Sequence, residues 1–196
     1  MFVYIVRCNF TEPAKEQAWN AWYGGPKIAQ MLSLPHFRTC QRFRRERGAG
    51  RDYLALWTVQ NPDAMTTPEY RGQWGFSEWT PFITDWSRDL FDGRPAGEHE
   101  FTVKASGGLQ VVSFEGMDAE GARAMQAKLA PSRPGMMWLP VVGLDRHTPL
   151  IGIKVLPHAG ERLPDAPGEG MHETLYRPLS EQHRLAADVS REEKVR

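Results

Sequence analysis

Apolar positions along the chain switch between a period of two and a period of three to four, and the switches divide it into elements. Residues 2–8, FVYIVRC, are β-branched or aromatic on both faces, the pattern of a central strand. Thr11 offers a helix cap and Pro13 is tolerated in a first turn. Across AKEQAWNAWY, Ala14, Ala18, Ala21 and Trp22 recur at helical spacing. Gly24-Gly25-Pro26 predicts a break, because Gly and Pro are the poorest helix formers, and KIAQMLSL resumes a turn before Pro35. FRTCQRFRRER and DYLALWTV flank Gly48-Ala49-Gly50, so residues 37–59 predict a hairpin. Thr66, Pro68 and Glu69 form a capping-box pattern that opens a second helical region. It breaks near Gly72 and restarts near Ser77, placing Trp79, Phe82, Ile83 and Trp86 on one helical face before RDLFDG returns as a short strand.

The order strand, helix, strand, strand, helix, strand is the ferredoxin-like, split βαβ pattern. GRPAGEHEFTVKASGG reads as a polar connector, after which the order repeats more weakly. LQVVSFEG is a strand, Asp118 caps AEGARAMQAKLA, and MMWLPVVGL and PLIGIKVLP form a hairpin around Asp145-Arg146-His147. HAGERLPDAPGEG is too rich in Pro and Gly for a good helix, and MHETLYRPL is a last strand. The expected fold is α+β, with tandem ferredoxin-like halves at 1–95 and 105–180 forming an α/β barrel-like sandwich, and a charged tail at 181–196. Two sheets packed face to face would leave a cavity between them. A sheet face left bare would call for a second copy, so a homodimer is expected.

Composition narrows the partners. Lys plus Arg number 24 and Asp plus Glu 24, a zero balance that argues against nucleic-acid binding. The run Arg42, Arg44, Arg45, Arg47 lies beside Glu46 and Asp52 and reads as a solvated face. Cys8 and Cys40 read as buried small hydrophobes in a reducing compartment. No Cys/His spacing suits a metal, and the first residues read as a strand rather than a signal peptide. No apolar run approaches a membrane span, so a cytoplasmic protein without membrane contact is expected.

The N-terminal half resembles a known group. WNAWYGGPKIAQMLSLPHFRTCQRF, followed by RDYLALWTVQNPDAMTTPEY, is similar to the dimeric α/β barrel superfamily, nearest to its EthD-like and uncharacterised relatives. The matching stretches are Trp22-Tyr23, Pro35-His36-Phe37, Arg42-Phe43, Tyr53 to Trp57 and Pro62 to Tyr70. Relatives place an acidic residue and a His after the Trp-Tyr pair, where this chain has Gly24-Gly25-Pro26-Lys27, and a glycine where it has His36. The resemblance covers about half the chain and implies a fold that hosts cofactor-free monooxygenases, cyclases, isomerases and haem enzymes, so it names no single reaction.

Candidate chemistry follows from residue type and position. His36, where a loop enters a strand, is the candidate acid/base, and His172 on the last strand is the second. Alternation places Tyr4, Gln41 and Trp57 toward the cavity if Val3, Cys40, Leu54 and Leu56 face the helices. Trp74 and Phe76 fall outside the helical stripe and are candidates for a pocket mouth. The expected function is a small-molecule enzyme doing acid/base chemistry (lyase, isomerase, dehydratase or cyclase) on an apolar aromatic or cyclic compound, without metal or nucleotide. The first alternative is a cofactor-independent or haem-dependent oxidoreductase, with His36, His158 or His172 as axial ligand. The second is a ligand-binding protein without catalysis.

Overall fold

A computed structural model describes residues 1–97, 99–160 and 170–185. Its nine strands are β1 (Phe2–Phe10), β2 (Phe37–Gly48), β3 (Tyr53–Val59), β4 (Ile83–Asp92), β5 (Gly108–Phe114), β6 (Met137–Leu144), β7 (Leu150–Leu156), β8 (Met171–Pro178) and β9 (His183–Arg184). The helices are α1 (Glu16–Trp22), α2 (Ile28–Leu32), α3 (Pro68–Gln73) and α4 (Ala119–Leu129). The strands pair in the order β3-β1-β4-β6-β7-β5-β8-β2-β9, and β2 also pairs with β3. That last pairing closes eight strands into an antiparallel barrel and leaves β9 as a short addition to β2. The protein is therefore a mixed α+β fold built on an eight-stranded antiparallel barrel, which has no open edge to protect. The two strand quartets, β2-β3-β1-β4 and β6-β7-β5-β8, have the same order relative to the chain.

Every barrel strand sends apolar side chains inward. Val3, Ile5, Phe43, Leu54, Leu56, Phe91, Leu109, Val111, Leu139, Ile151, Ile153 and Tyr176 form one buried core. The space between the quartets, expected to be a cavity, is thus filled at this level by side chains, as in other small barrels. Closure covers the inner face of each quartet within one chain, so the bare inner face from which a second copy was inferred is filled by the chain itself.

One end of the interior is charged. Arg7 donates to Glu115 at 2.8 Å and to Asp89 at 3.3 Å, and Arg51 donates to the same Glu115 oxygen at 2.5 Å. Arg7, Arg51 and Asp89 have side chains 4%, 2% and 0% exposed, so their pairing decides whether this end of the barrel holds.

Two local expectations are corrected. Gly24-Gly25-Pro26 does not break the first helix, because a π-turn over Tyr23–Lys27 carries it from α1 into α2. Pro26 lacks an N–H, and the wider turn absorbs the defect. Residues 77–86 are not a helix: a 3-10 segment spans Ser77–Phe82 and β4 starts at Ile83. Pro81 again removes a donor, and β-branched Ile83 and Thr84 suit a strand. The second helix is capped by Thr67, whose hydroxyl accepts from Tyr70 N at 3.2 Å, one residue later than the capping-box reading. Of the expected loop 158–170, residues 161–169 lie outside the described residues, as do 186–196 of the expected tail. Among the described residues no helix is long and apolar enough to cross a membrane.

Candidate functional site

The barrel's outer face carries the second layer. Tyr4, Val6 and Cys8 of β1, Cys40 of β2, and Tyr53, Ala55 and Trp57 of β3 pack against Trp19, Tyr23, Ile28 and Met31 of the first helical stretch. Alternation holds within each strand, but β1 and β3 are inverted relative to expectation: Val3, Ile5, Leu54 and Leu56 point into the barrel. The hydrophobic pattern could not settle this, because both faces of these strands are buried.

A cleft lies between this outer face and the helical layer. Tyr4, Val6 and Trp57 form its floor, and Tyr23, Lys27 and Met31 come from the helical side. Trp74, Gly75 and Phe76 form one rim, and Trp86 and Arg88 of β4 the other. Its enclosed space is about 20 Å³, room for about one water, and the rest of it opens to solvent at the mouth, so an aromatic ring enters only with displacement of the rim side chains. Trp74 and Trp86, the most exposed of the large lining residues, face each other across the mouth with ring centroids 5.9 Å apart. Gly75 between the rim residues has φ +100° and an open position where a side chain would stand, a backbone geometry that suits glycine. The sequence-based candidates Tyr4, Trp57, Trp74 and Phe76 therefore meet in one place.

The polar groups of the cleft are linked. Arg88 stacks on Trp74, its guanidinium 3.8 Å from the ring centroid, and pairs with Asp145 at 3.3 Å. Arg88 Nη1 also lies 3.4 Å from the Tyr70 hydroxyl, which donates to the Tyr4 hydroxyl at 3.2 Å. Either hydroxyl of this pair can donate; with Arg88 donating to Tyr70, the order Arg88 to Tyr70 to Tyr4 leaves the Tyr4 proton for a group in the cleft. Burial, followed by the neighbouring Tyr70, holds the Tyr4 pKa well above its ordinary value, so Tyr4 is a donor rather than a base. Trp57 Nε1 is buried with no hydrogen bond of normal geometry, and Tyr23 is its polar neighbour. Lys27 is buried and donates a short hydrogen bond to the Gln73 carbonyl, which ties the helical layer to the Trp74 rim. Burial lowers its pKa to about 8.

The other candidates are elsewhere. Gln41 points into the barrel, donating to the Val103 and Ser180 carbonyls at 2.8 and 2.9 Å and accepting from Val103 N at 2.9 Å. Its amide staples the segment after β4 and is not part of the cleft. His36 does not line the cleft either. It holds φ 72°, a left-handed conformation that glycine adopts at lower cost, and its carbonyl accepts from Gln60 N at 2.9 Å. His36→Gly should accordingly leave ligand binding and turnover unchanged and raise stability by up to about 1 kcal/mol, read by urea denaturation. A large loss of turnover would return His36 to the chemistry. His172 lies at the charged end of the barrel, its buried Nδ1 without a hydrogen bond and 3.9 Å from Glu115. Among the described residues no three His, Cys, Asp or Glu side chains cluster as a metal site would require.

Sequence reading missed Tyr23, Lys27, Tyr70, Trp86 and Arg88. Lys27 follows the Gly-Gly-Pro that was taken for a break, and Trp86 was placed on a helix. Arg88 sits in a strand whose polar and apolar residues alternate only in part, which gave no signal of an outer-face arginine.

No family model matches the chain, and no curated protein matches it by sequence. Solved structures do match. One is an "anthrone oxidase-like protein", with TM-score 0.58 and 9% identity over 94% of this chain and 93% of that one. Another is a "putative monooxygenase" from Fusobacterium nucleatum, with TM-score 0.50 and 9% identity over 93% and 94%. Identities this low show a shared α+β barrel fold and nothing finer.

Proposed function

We propose that the chain is an oxidoreductase that oxidises an electron-rich aromatic compound with molecular oxygen in the Tyr4–Trp57–Trp74 cleft. The carrying observation is the lining. It offers aromatic walls, a proton donor in Tyr4 and two cations, but no imidazole and no carboxylate, the commonest bases. The acid/base reading relied on His36, which lies outside the cleft, so the oxidoreductase alternative fits the residues better. The likeness to an anthrone oxidase-like protein and to a "putative monooxygenase" lends the same direction.

The overall change balances without a reductant: a ring CH₂ and O₂ give a ring carbonyl and water. Electrons come from the ionised aromatic ring, one oxygen atom enters the product, and the other leaves as water. In this scheme Trp57, Trp74, Phe76 and Trp86 orient the ring and exclude water. Tyr4 supplies a proton to the developing oxyanion or peroxide, with Tyr70 and Arg88 holding it in place.

Haem does not fit the cleft. Its aromatic rings leave no room for a macrocycle, and His36, His158 and His172, the imidazoles considered as axial ligands, are all absent from its lining.

The same reading takes the two quartets as ferredoxin-like halves, 1–95 and 105–180, on the strength of their shared strand order. The EthD-like kinship rests on the quoted residues alone.

Oxygen uptake by the purified chain with anthrone and hydroxylated polycyclic aromatics tests the reading. Substrate-dependent uptake of one O₂ per product, with one labelled oxygen atom in the carbonyl, is the expected result. Conversion of the substrate with no uptake of oxygen would restore the acid/base reading.

A further inference from the structure

Lys27 is a buried cation without an anion. The residue is 5% exposed, yet among the described residues no carboxylate lies within ion-pair distance of it. Among the described residues its one hydrogen-bond partner is the Gln73 carbonyl, which uses one of three ammonium donors. A buried ammonium is costly unless something compensates it. Its nearest aromatic support is Trp22, 6.0 Å away, at the limit of a useful cation–π contact. A second buried cation, Arg42, stands on the far side of Tyr23, 4.2 Å from that ring's centroid. Arg42 donates to the Asn20 carbonyl and side chain rather than to a carboxylate.

The backbone that delivers Lys27 is itself unusual. The π-turn over Tyr23–Lys27 brings both of its terminal residues to the cleft. An uninterrupted α-helix is the lower-cost backbone, and π-turns occur frequently at functional sites. The cleft contains no Asp or Glu to neutralise what the turn delivers.

We infer that Lys27 is a specificity-determining residue that selects an aromatic anion, holding the ligand's ionised oxygen while Trp57, Trp74 and Phe76 contact its ring. The inference rests on the proposed reading of the cleft and deepens it, since an ionised aromatic is the form from which electrons pass to oxygen. The anion's oxygen is a phenolate or a carboxylate, and the two are separable by experiment. The missing counter-ion is then brought by the ligand, and the preference is largest where the ammonium is charged. With its pKa lowered to about 8, Lys27 is charged at neutral pH and loses its proton as pH rises past that value. The other titratable groups of the lining keep their charge in that interval. Tyr4 and Tyr23 are held protonated chiefly by burial, and Arg88 remains cationic.

Quenching of tryptophan fluorescence by three matched probes tests this: 2,4-dinitrophenol and 2,4-dinitrobenzoate, both ionised at neutral pH, and the neutral 2,4-dinitroanisole. The wild-type chain should bind at least one anion about 10- to 100-fold tighter than the ether, the range of a charge-assisted hydrogen bond. The better anion identifies the oxygen type. Lys27→Met, which keeps the stem, should bind all three alike, and Lys27→Arg should keep the preference for the anion. In the wild type the preference should fall as pH rises through about 8, while in Lys27→Arg it should not. Circular dichroism and the unchanged affinity for the ether certify that Lys27→Met is folded. Ether binding equal to anion binding in the wild type, or a preference retained in Lys27→Met, would overturn the role of Lys27 and leave the aromatic cleft standing. Failure of all three probes to bind the wild type would overturn the cleft reading and the inference together.

Discussion

Tyr4→Phe is expected to lower turnover by about 10²-fold or more while changing the affinity for a neutral aromatic ligand by less than about threefold. The ring of Tyr4 packs edge-on against Phe37 and Tyr70, with centroids 6.3 and 6.1 Å away, and phenylalanine keeps both contacts. What the substitution removes is the hydroxyl at the cleft end of the Arg88–Tyr70–Tyr4 chain. A donor positioned on charge that develops only in the transition state affects the rate and leaves ground-state binding nearly untouched. Tyr70→Phe should have a smaller effect, about 10-fold, because it loosens Tyr4 without removing its proton. Single-turnover kinetics alongside equilibrium binding separate the two. Undiminished turnover in Tyr4→Phe would make Tyr4 a wall of the cleft and nothing more.

The largest effect on stability is expected away from the cleft. Glu115→Gln should cost about 3–5 kcal/mol at neutral pH, the range for removing one partner from a buried ion pair. Glu115 accepts from both Arg7 and Arg51, and His147 Nε2 lies 3.1 Å from its other oxygen. Burial alone would raise its pKa, but the Arg7 charge and the Arg51 hydrogen bond overrule it and hold the carboxyl down to about 2. A depressed carboxyl contributes stability that is complete above its unfolded value of 4.5 and is lost as pH falls toward 2. The deficit of Glu115→Gln should therefore shrink through that window. Asp89 works in the opposite sense, since burial raises its pKa, so the wild-type acid slope is the difference between the two. Urea denaturation of both proteins at about pH 7 and about pH 3 measures the contribution of Glu115. A deficit equal at both values would show that charge is not what Glu115 contributes.

The pattern of apolar positions located seven of the eight barrel strands, most clearly where runs are long and β-branched as in Phe2–Cys8 and Tyr53–Val59, and only the second half of β4, whose start at Ile83 was read as helix. Asp118 was legible as a cap and donates no ambiguity: its carboxylate accepts from Gly121 N at 2.7 Å. Facing was not legible for β1 and β3, since a strand buried on both sides carries no mark of which side is the barrel. For β2 it was legible, because Cys40 on one side and Gln41 on the other differ in character, and Cys40 lies under the helices as expected. Tyr4, Trp57, Trp74 and Phe76 were found as aromatic groups near breaks or on one strand face. Lys27 and Arg88 were not, because the burial of a charge depends on tertiary contacts that no local pattern records. His36 drew attention as an imidazole at a turn, whereas what marks the position is its left-handed backbone, which glycine adopts at lower cost.

The central claim is that the cleft under the helices, and not the barrel interior, receives the aromatic substrate. A crystal structure of the chain with a bound hydroxylated anthrone analogue tests it most directly. The account predicts the ring between Trp57 and the Trp74–Phe76 rim, an oxygen within hydrogen-bond distance of Lys27 Nζ, and the reacting carbon facing Tyr4. Electron density for the ligand among Arg7, Glu115 and His172 at the charged end of the barrel, with the cleft empty, would contradict it.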